Sequence, residues 1–200
     1  MPEINHEIGI ERNLGLLLAT GQLTQYGGYL DDGYYEKGLS KLYTILTTGQ
    51  YAGTTNITLY GKTDVHSNNC VYDRRTKRMW SRYVSGSVGT GSNGKLPWTT
   101  DVNGQGIYAY VAAANAAKLG GYSDWRIPND LELVNLRDME QPTAAPNATA
   151  FPSWPTSDYV WSSTTRPSST ASAMFVYFGN GSVDSSDKAT AYFVSLVRGG

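Results

Sequence analysis

The stretch GTGSNGK, from Gly89 to Lys95, has the glycine spacing in this sequence that is closest to a phosphate-binding loop. It matches G-x-G-x-x-G and most of G-x-x-x-x-G-K-[ST], in which backbone amides and a lysine hold phosphates. Leu96 stands where the Mg²⁺-binding serine or threonine belongs, and Pro97 follows where a phosphate-facing helix would begin. We expect a surface loop here, and an enzyme whose site lies in Gly89–Leu96 is kept as the alternative from another functional class.

Other side chains that could carry catalysis are few. His6 and His66 lie in segments that the pattern places at the periphery, and Cys70 is the single cysteine. One cysteine permits neither a Cys/His zinc set, nor a reactive thiol pair, nor an intrachain disulfide. No serine sits in a G-x-S-x-G elbow. These observations predict a protein that is not an enzyme and needs no cofactor.

Two pairs of carboxylates have the oxygen chemistry that Ca²⁺ prefers. Asp31 and Asp32 are adjacent, and Asp184 and Asp187 are three residues apart. Neither pair is part of a full ligand loop, so we interpret these residues as solvated turn carboxylates and predict no metal site.

The stretch DWRIPNDLELVNL, Asp124 to Leu136, concentrates a tryptophan, an arginine and a proline before a capped helix. Asn129 is the expected N-cap and Glu132 is at N3, which makes a capping box. Trp125 in this position is typical of a core residue, and Arg126 can donate to loop carbonyls or carboxylates. The cluster therefore favours a structural frame over an active site.

The amino-acid composition argues against nucleic acid and membranes as binding partners. The chain has 200 residues, a formal net charge of −1 and only 16% charged residues. It carries no basic footprint for nucleic acid or an anionic membrane, and no run is long enough to insert into a membrane. The N-terminus lacks the basic segment and long apolar core of a signal peptide. We expect cytoplasmic synthesis followed by display on a virion or cell surface.

The chain reads as strands, then two helices, then more strands, which indicates an α+β class without βαβ alternation. A helix is predicted over Ile107 to Leu119, stopped by Gly120–Gly121. Tyr43 to Gly61 predicts one or two short strands, and Val71 to Trp80 a hairpin. From Tyr159 onward three strand runs are separated by polar segments, with a tight turn at Gly179–Gly181. Trp80, Trp125 and Trp161 are expected in the core.

Four segments together resemble one family. GGYSDWRIPNDLELVNL is similar to the DWRLP…EL…L signature of the Lcl C-terminal-like domains. Thr20 to Gly38 resembles their Gly/Asp/Tyr-rich opening segment, Val71 to Trp80 their V-x-D-x-x-T-x-x-M-W hairpin, and Val160 to Gly200 their WSST…VRG ending. The resemblance covers most of Thr20 to Gly200.

The resemblance implies a C-type-lectin-like fold, in which two helices flank a twisted, mainly antiparallel sheet with Gly/Ser-rich loops. It implies an N-terminal arm (1–19) and one domain (20–200), with an elaboration over 20–69 and a core over 70–200. It also implies binding rather than catalysis. Sugar-binding C-type lectins hold Ca²⁺ with E-P-N or Q-P-D, whereas this chain has Gln141-Pro142-Thr143, which lacks the acidic ligand.

The ending is also similar to that of variable proteins of diversity-generating retroelements, which are binders on phages, viruses or bacterial surfaces. The resemblance implies a host-surface protein or glycan as partner, and a fixed glycan- or matrix-binding adhesin domain is the alternative. Late strands and turns rich in Tyr, Ser, Thr, Asn and Asp are typical of a contact surface. The residues that we expect on this surface are Tyr159, Thr165, Arg166, Ser168, Tyr177, Asn180, Ser182, Asp184, Ser186, Asp187, Lys188 and Tyr192.

Overall fold

The computed structural model describes residues 43–59, 61–86, 94–99, 106–138 and 141–199. The predicted arm, the opening segment over 20–42, His6, the Asp31–Asp32 pair and most of the Gly89–Leu96 loop lie outside the described residues. The described part is mostly antiparallel sheet with two helices, which confirms a sheet-rich fold.

Eleven strands and two helices are present in the described residues. In chain order they are β1 Tyr43–Leu46, β2 Thr54–Leu59, β3 Lys62–Ser67, β4 Cys70–Asp73, β5 Arg78–Ser81, β6 Leu96–Pro97, α1 Ile107–Ala116, α2 Asp130–Val134, β7 Tyr159–Thr165, β8 Ser172–Tyr177, β9 Ser182–Asp187, β10 Ala191–Tyr192 and β11 Val197–Arg198. Single-turn 3-10 helices occur at Gly49–Tyr51 and Leu119–Gly121.

The first sheet has the strand order β1-β4-β5-β11. The predicted hairpin at Val71 to Trp80 is confirmed, with these two residues paired across β4 and β5. Asp73 closes its turn by accepting a hydrogen bond from the backbone N–H of Arg75. Val197 pairs with Trp80 from the other side, so the last described strand completes the sheet.

A second hairpin is formed by β2 and β3, and only β2 was expected from the sequence. Strand β3 buries Asp64 and His66, so its inward face is polar. The peripheral placement expected for His66 is wrong, because the side chain is only 3% exposed. Burial of a carboxylate and an imidazole hides the apolar alternation by which a half-buried strand is normally predicted.

Two of the three predicted late strands are confirmed as β7 and β8, and they form a three-stranded sheet with β9, which arises from a polar segment that was not predicted as a strand. Strands β8 and β9 are joined by the predicted turn at Gly179–Gly181. The run AYFVSLVRG is not one continuous strand. It contributes β10, which pairs with β6, and β11, which belongs to the first sheet.

Helix α1 is shorter than the predicted Ile107 to Leu119. Helix α1 buries Ile107, Tyr110 and Ala114 as its periodicity predicts. It ends at Ala116 because Lys118 adopts a left-handed conformation with φ of 54°, which starts the next turn. Helix α2 has five residues, and its predicted capping box is confirmed: the Asn129 side chain accepts from Glu132 N, and the Glu132 side chain accepts from Asn129 N.

The expected core tryptophans Trp80, Trp125 and Trp161 are all buried. Trp125 is also anchored at its backbone, because Asn115 of α1 accepts from its N–H and donates to its carbonyl. The Trp161 indole N–H donates to the Leu96 carbonyl across 3.0 Å. These polar contacts fix the orientation of large rings that apolar packing alone would hold less specifically.

Arg126 has the structural role expected from the sequence. Its two terminal nitrogens donate to the two carboxylate oxygens of Glu132, each at 2.7 Å, and Arg126 also donates to the Gly199 carbonyl. Arg78 Nε lies 2.7 Å from Glu132 Oε1. The cluster therefore connects α2 to β5 and to the backbone after β11, and it belongs to the frame.

Candidate functional site

Three half-buried tyrosines lie side by side on one face of the β7-β8-β9 sheet, and we call Tyr159, Tyr177 and Tyr192 the tyrosine patch. Tyr159 pairs with Tyr177 across the strands, and its ring centroid lies 4.8 Å from that of Tyr177 and 4.7 Å from that of Tyr192. Both ring pairs are inclined by 34°. The patch thus presents a continuous aromatic surface.

Buried rings on the same sheet face adjoin the tyrosine patch. Phe175 contacts Tyr159 and Tyr192 edge-on, at centroid distances of 5.0 and 5.2 Å. The fully buried Trp161 lies 4.6 Å from Tyr192. Because the supporting rings belong to the core, the tyrosines are held in place before any partner arrives, which lowers the entropy cost of binding.

Gly179 makes room for the outer ring of the tyrosine patch. A Cβ at this position would lie 2.5 Å from both Cε1 and Oη of Tyr177, a separation that real side chains do not adopt. The Tyr177 ring therefore lies over the glycine backbone at the β8–β9 turn. Because residue 179 has no side chain, the Tyr177 ring can occupy this position.

Strand β9 places a row of polar side chains beside the tyrosine patch. Ser182 pairs with Tyr177, Asp184 with Phe175 and Ser186 with Ala173, so these alternate residues share the face of the patch. Ser182 and Asp184 are exposed. Because β9 is at the edge of its sheet, these side chains border open solvent.

Lys188 is held at the other end of the same face. Its ammonium donates to Thr165 Oγ1 at 2.9 Å and lies 3.9 Å from the centroid of the Trp98 ring. The Trp98 indole donates to the Ser162 carbonyl at 2.8 Å, and its ring meets Tyr108 edge-on at 5.0 Å. This corner, Trp98, Tyr108, Thr165 and Lys188, combines a fixed cation with two rings.

Four of the expected contact residues lie elsewhere on this sheet. Arg166 donates to Ser168 and Ser185, each at 3.0 Å, and Ser185 is out of phase with the polar row of β9. Asn180 accepts from Ser182 N at the β8–β9 turn, and Asp187 accepts from Ala189 N after β9. The structure therefore joins the other eight residues on one face: Tyr159, Thr165, Tyr177, Ser182, Asp184, Ser186, Lys188 and Tyr192.

Sequence reasoning missed two aromatic members of this face, Trp98 and Tyr108. Tyr108 is 47% exposed and falls outside the apolar phase of α1, which is the signal that could have identified it. Trp98 follows Pro97 in a stretch with no periodicity, and its contact with Lys188 joins residues far apart in the chain. A short sequence pattern cannot predict a contact between residues so far apart in the chain.

Reactive groups in the described residues are engaged or shielded. Burial raises the pKa of the Cys70 thiol to about 12, so the nucleophilic thiolate is disfavoured at neutral pH. Lys95, the lysine of the phosphate-loop pattern, lies 2.5 Å from Asp158 Oδ2. Across the described ranges, no group of three or more His, Cys, Asp or Glu side chains is arranged to hold a metal ion. Within those same ranges, no helix has the length and apolar character needed to cross a bilayer.

A comparison with protein-family models identifies a family for this chain. The family model described as the Lcl C-terminal domain matches residues 69–198. A search of curated proteins found no match. The matched span runs from the β4–β5 hairpin to β11, so it contains the Arg126–Glu132 pair and the tyrosine patch. Because it covers more than half of the chain, the protein belongs to the Lcl C-terminal domain family.

Proposed function

We propose that this protein is a non-enzymatic binding protein with a C-type-lectin-like fold, and that its partner docks on the tyrosine patch and the polar row of β9. The carrying observation is the fixed stack of Tyr159, Tyr177 and Tyr192 beside buried Phe175 and Trp161. Rigid tyrosines give large contact area at low entropy cost, and nearby serines supply adaptable hydrogen bonds.

The division between frame and surface supports this proposal. Trp80, Trp125, Trp161 and Glu132 are buried, whereas Ser182 and Asp184 are exposed on an edge strand. Changes at exposed positions away from the core usually have small effects on stability. Such a scaffold tolerates substitution on the docking face, which is what diversification by a retroelement would require.

The fold assignment rests on chain organisation. The first and last described strands, β1 and β11, belong to the same sheet, and α1 and α2 precede the β7-β8-β9 sheet. We take α1 and α2 as the two helices that the resemblance implies. The proposed setting is a virion or cell surface, and the proposed partner is a host-surface protein or glycan.

A fixed adhesin domain that binds glycans is the second candidate. The observation that favours it is the corner formed by Trp98, Tyr108, Thr165 and Lys188, where rings lie beside donor groups. Aromatic faces with a few well-placed polar groups are typical of small-ligand recognition. A nearby reverse transcriptase gene with a near-copy of the coding end would favour the diversified binder over the adhesin.

The binding test measures labelled full-length protein on a panel of intact cells and on a glycan array. For the target with the strongest signal, we expect Asp184→Arg, combined with Ser182→Arg, to weaken binding at least tenfold. Ser168→Arg, an exposed control off the docking face, should leave the dissociation constant within about twofold because it removes only a contact with Arg166. Equal binding by all variants, or a loss confined to the control, would contradict the proposed surface.

A further inference from the structure

A pocket of about 440 Å³ lies away from the tyrosine patch, between β3, the segment Tyr83–Gly86, Ser153 and Phe193. Phe193 lines it, whereas the preceding residue, Tyr192, belongs to the patch. The two neighbouring side chains thus contribute to different surfaces. A ligand in this pocket would occupy a site separate from the docking face.

His66 brings an unused hydrogen-bond acceptor to this pocket. Its Nδ1 lies 3.2 Å from the Ser67 carbonyl, so Nδ1 carries the proton and donates. In that tautomer Nε2 is an acceptor, and it is buried without a hydrogen-bond partner among the described residues. The Tyr83 carbonyl also faces the ring, but a carbonyl only accepts and therefore supplies no donor to Nε2. Buried polar atoms are normally paired, so an orphan acceptor that lines a pocket points to a donor supplied by a ligand.

Asp64, two residues away on the same face of β3, adds a negative charge. It is 5% exposed, and Gly86 N and Tyr110 Oη both donate to its Oδ2 at 2.9 and 3.1 Å. No lysine or arginine of the described ranges forms an ion pair with it, and none lines the pocket. Buried charges are usually paired, so this carboxylate favours a cationic ligand.

Gly86 allows the loop to approach this carboxylate. A Cβ on Gly86 would lie 2.7 Å from Asp64 Oδ1, so a larger residue would displace either the loop or the carboxylate. Val84, Tyr83 and Phe193 supply apolar surface around the charged end. Aromatic faces attract cations as well as apolar chains.

Two cations near the outer rings do not neutralise the pocket. Arg82 lies 5.9 Å from the Tyr83 ring, but it donates to the carbonyls of Thr149 and Ala150. Lys95 lies 5.4 Å from the Phe193 ring and pairs with Asp158. Neither Arg82 nor Lys95 lines the pocket.

We propose that this pocket binds a small primary amine as its ammonium, with the –NH₃⁺ group donating to Asp64 and to Nε2 of His66 while a short apolar chain contacts Tyr83, Val84 and Phe193. An ammonium has three donors and no acceptor, which matches two acceptors and a negative charge. The pocket size suits a small molecule rather than a folded partner.

The test uses the full chain at pH 7.5 and n-butylammonium chloride, with 1-butanol as the neutral probe of similar size and NaCl as the salt control. Nuclear magnetic resonance titration follows the Gly86 amide and the His66 ring nitrogens. We expect saturable shifts with butylammonium and affinity at least tenfold higher than for butanol. Equal or tighter butanol binding, or no saturable shift at His66, would overturn the proposal.

Variants separate the two acceptors from the general environment. His66→Phe fills the site without an acceptor and should weaken butylammonium binding at least tenfold. Thr63→Val changes an exposed residue of the same strand that does not line the pocket, and it should leave binding unchanged. If His66→Phe does not fold, the wild-type protein is titrated with butylammonium at lower pH instead. We expect butylammonium to be released when His66 becomes protonated, because the imidazolium Nε2 carries a proton and cannot accept. Binding that persists with the imidazolium form would refute the proposed contact.

Discussion

Arg126 and Glu132 face each other through two parallel hydrogen bonds of 2.7 Å, although the arginine is 44% exposed and the glutamate is almost fully buried. Glu132 also pairs with Arg78 and accepts from Asn129 N at the start of α2. One carboxylate thus links a helix terminus to the first sheet, and the cluster that most resembles an active site in sequence is part of the scaffold.

Glu132→Gln should destabilise the protein by about 3 kcal/mol, because it leaves Arg126 and Arg78 without a charged partner at a buried position. Arg126→Met should cost only about 1 kcal/mol, since solvent screens the exposed arginine and Arg78 still pairs with Glu132. Urea unfolding measures both free energies. The exposed pair Arg198–Asp124 provides the control, and Asp124→Asn should cost less than about 1 kcal/mol. Equal losses at Glu132 and Asp124 would contradict the structural role assigned to Glu132.

Acid stability should depend on Glu132. Burial alone raises its pKa, but the hydrogen bonds from Arg126 and Asn129 and the charges of Arg126 and Arg78 outweigh burial and hold the pKa below its usual value of 4.5. The carboxylate therefore stabilises the folded state above pH 4.5, and this contribution is lost as the pH falls through the lowered folded-state pKa. Urea unfolding between pH 6 and 3 should show a steeper loss in the wild type than in Glu132→Gln. If the free energies of unfolding of the two proteins fell in parallel over this pH range, the acid sensitivity would not come from Glu132.

His66 should add a second acid-sensitive step at higher pH. Burial lowers its pKa below 6.5, although Asp64 and the carbonyls of Ser67 and Tyr83 oppose the shift. The unfolded chain therefore binds a proton near pH 6 that the folded chain does not, and stability falls as the pH drops below 6.5. Thermal unfolding at pH 7.5 and 5.5 should differ more in the wild type than in His66→Phe. If the change in unfolding temperature between pH 7.5 and pH 5.5 were the same in His66→Phe, the acid-sensitive step would belong to another group.

Gly179→Ala should move the Tyr177 ring without disturbing the core. The added methyl group collides with Cε1 and Oη of Tyr177, which is half-buried and can turn outward. We expect a stability loss of about 1 kcal/mol but a larger loss of binding at the docking face. Calorimetry and binding to the target found in the cell panel measure the two effects. Ser168→Ala is the control, and similar binding by both variants would show that Tyr177 position is unimportant.

Trp161→Ala should cost about 4 kcal/mol, because it opens a cavity beside the tyrosine patch and removes the bond to the Leu96 carbonyl. Lys188→Met removes the ammonium over Trp98 and its hydrogen bond to Thr165 at a partly exposed position, so it should cost only about 1 kcal/mol. Chemical unfolding monitored by circular dichroism measures both. Comparable losses would contradict the assignment of Trp161 to the frame and Lys188 to the surface.

The features that could be predicted from the sequence are those that depend on residues close together in the chain. The capping box joins residues three apart, and the β4–β5 hairpin is set by its own turn at Asp73, so both are visible in short segments. Composition and alternation predicted twelve contact residues, of which eight share one face in the structure. Arg166 was placed with them because sequence does not report that its guanidinium bonds Ser185 on the other face.

Long-range contacts account for what sequence analysis missed. Strand β3 is stabilised by hydrogen bonds to its buried Asp64, and the donors, Gly86 and Tyr110, are distant in the chain. Helix α1 ends before the predicted Gly120–Gly121 stop because Lys118 takes a left-handed conformation, which is uncommon for a residue other than glycine. Trp98 joins the face through Lys188, Tyr108 and the Ser162 carbonyl, of which Lys188 and Ser162 are distant in the chain. Each of these depends on the assembled fold.

The most direct measurement is hydroxyl-radical footprinting of the free and partner-bound protein by mass spectrometry. Without partner, the rings of Tyr159, Tyr177 and Tyr192 should be modified while buried Trp161 is not. With partner bound, those three tyrosines should become protected, and Arg74 and Lys77, the exposed residues of the β4–β5 turn, should keep their reactivity. Protection of that turn with continued oxidation of the three tyrosines would contradict binding through the patch.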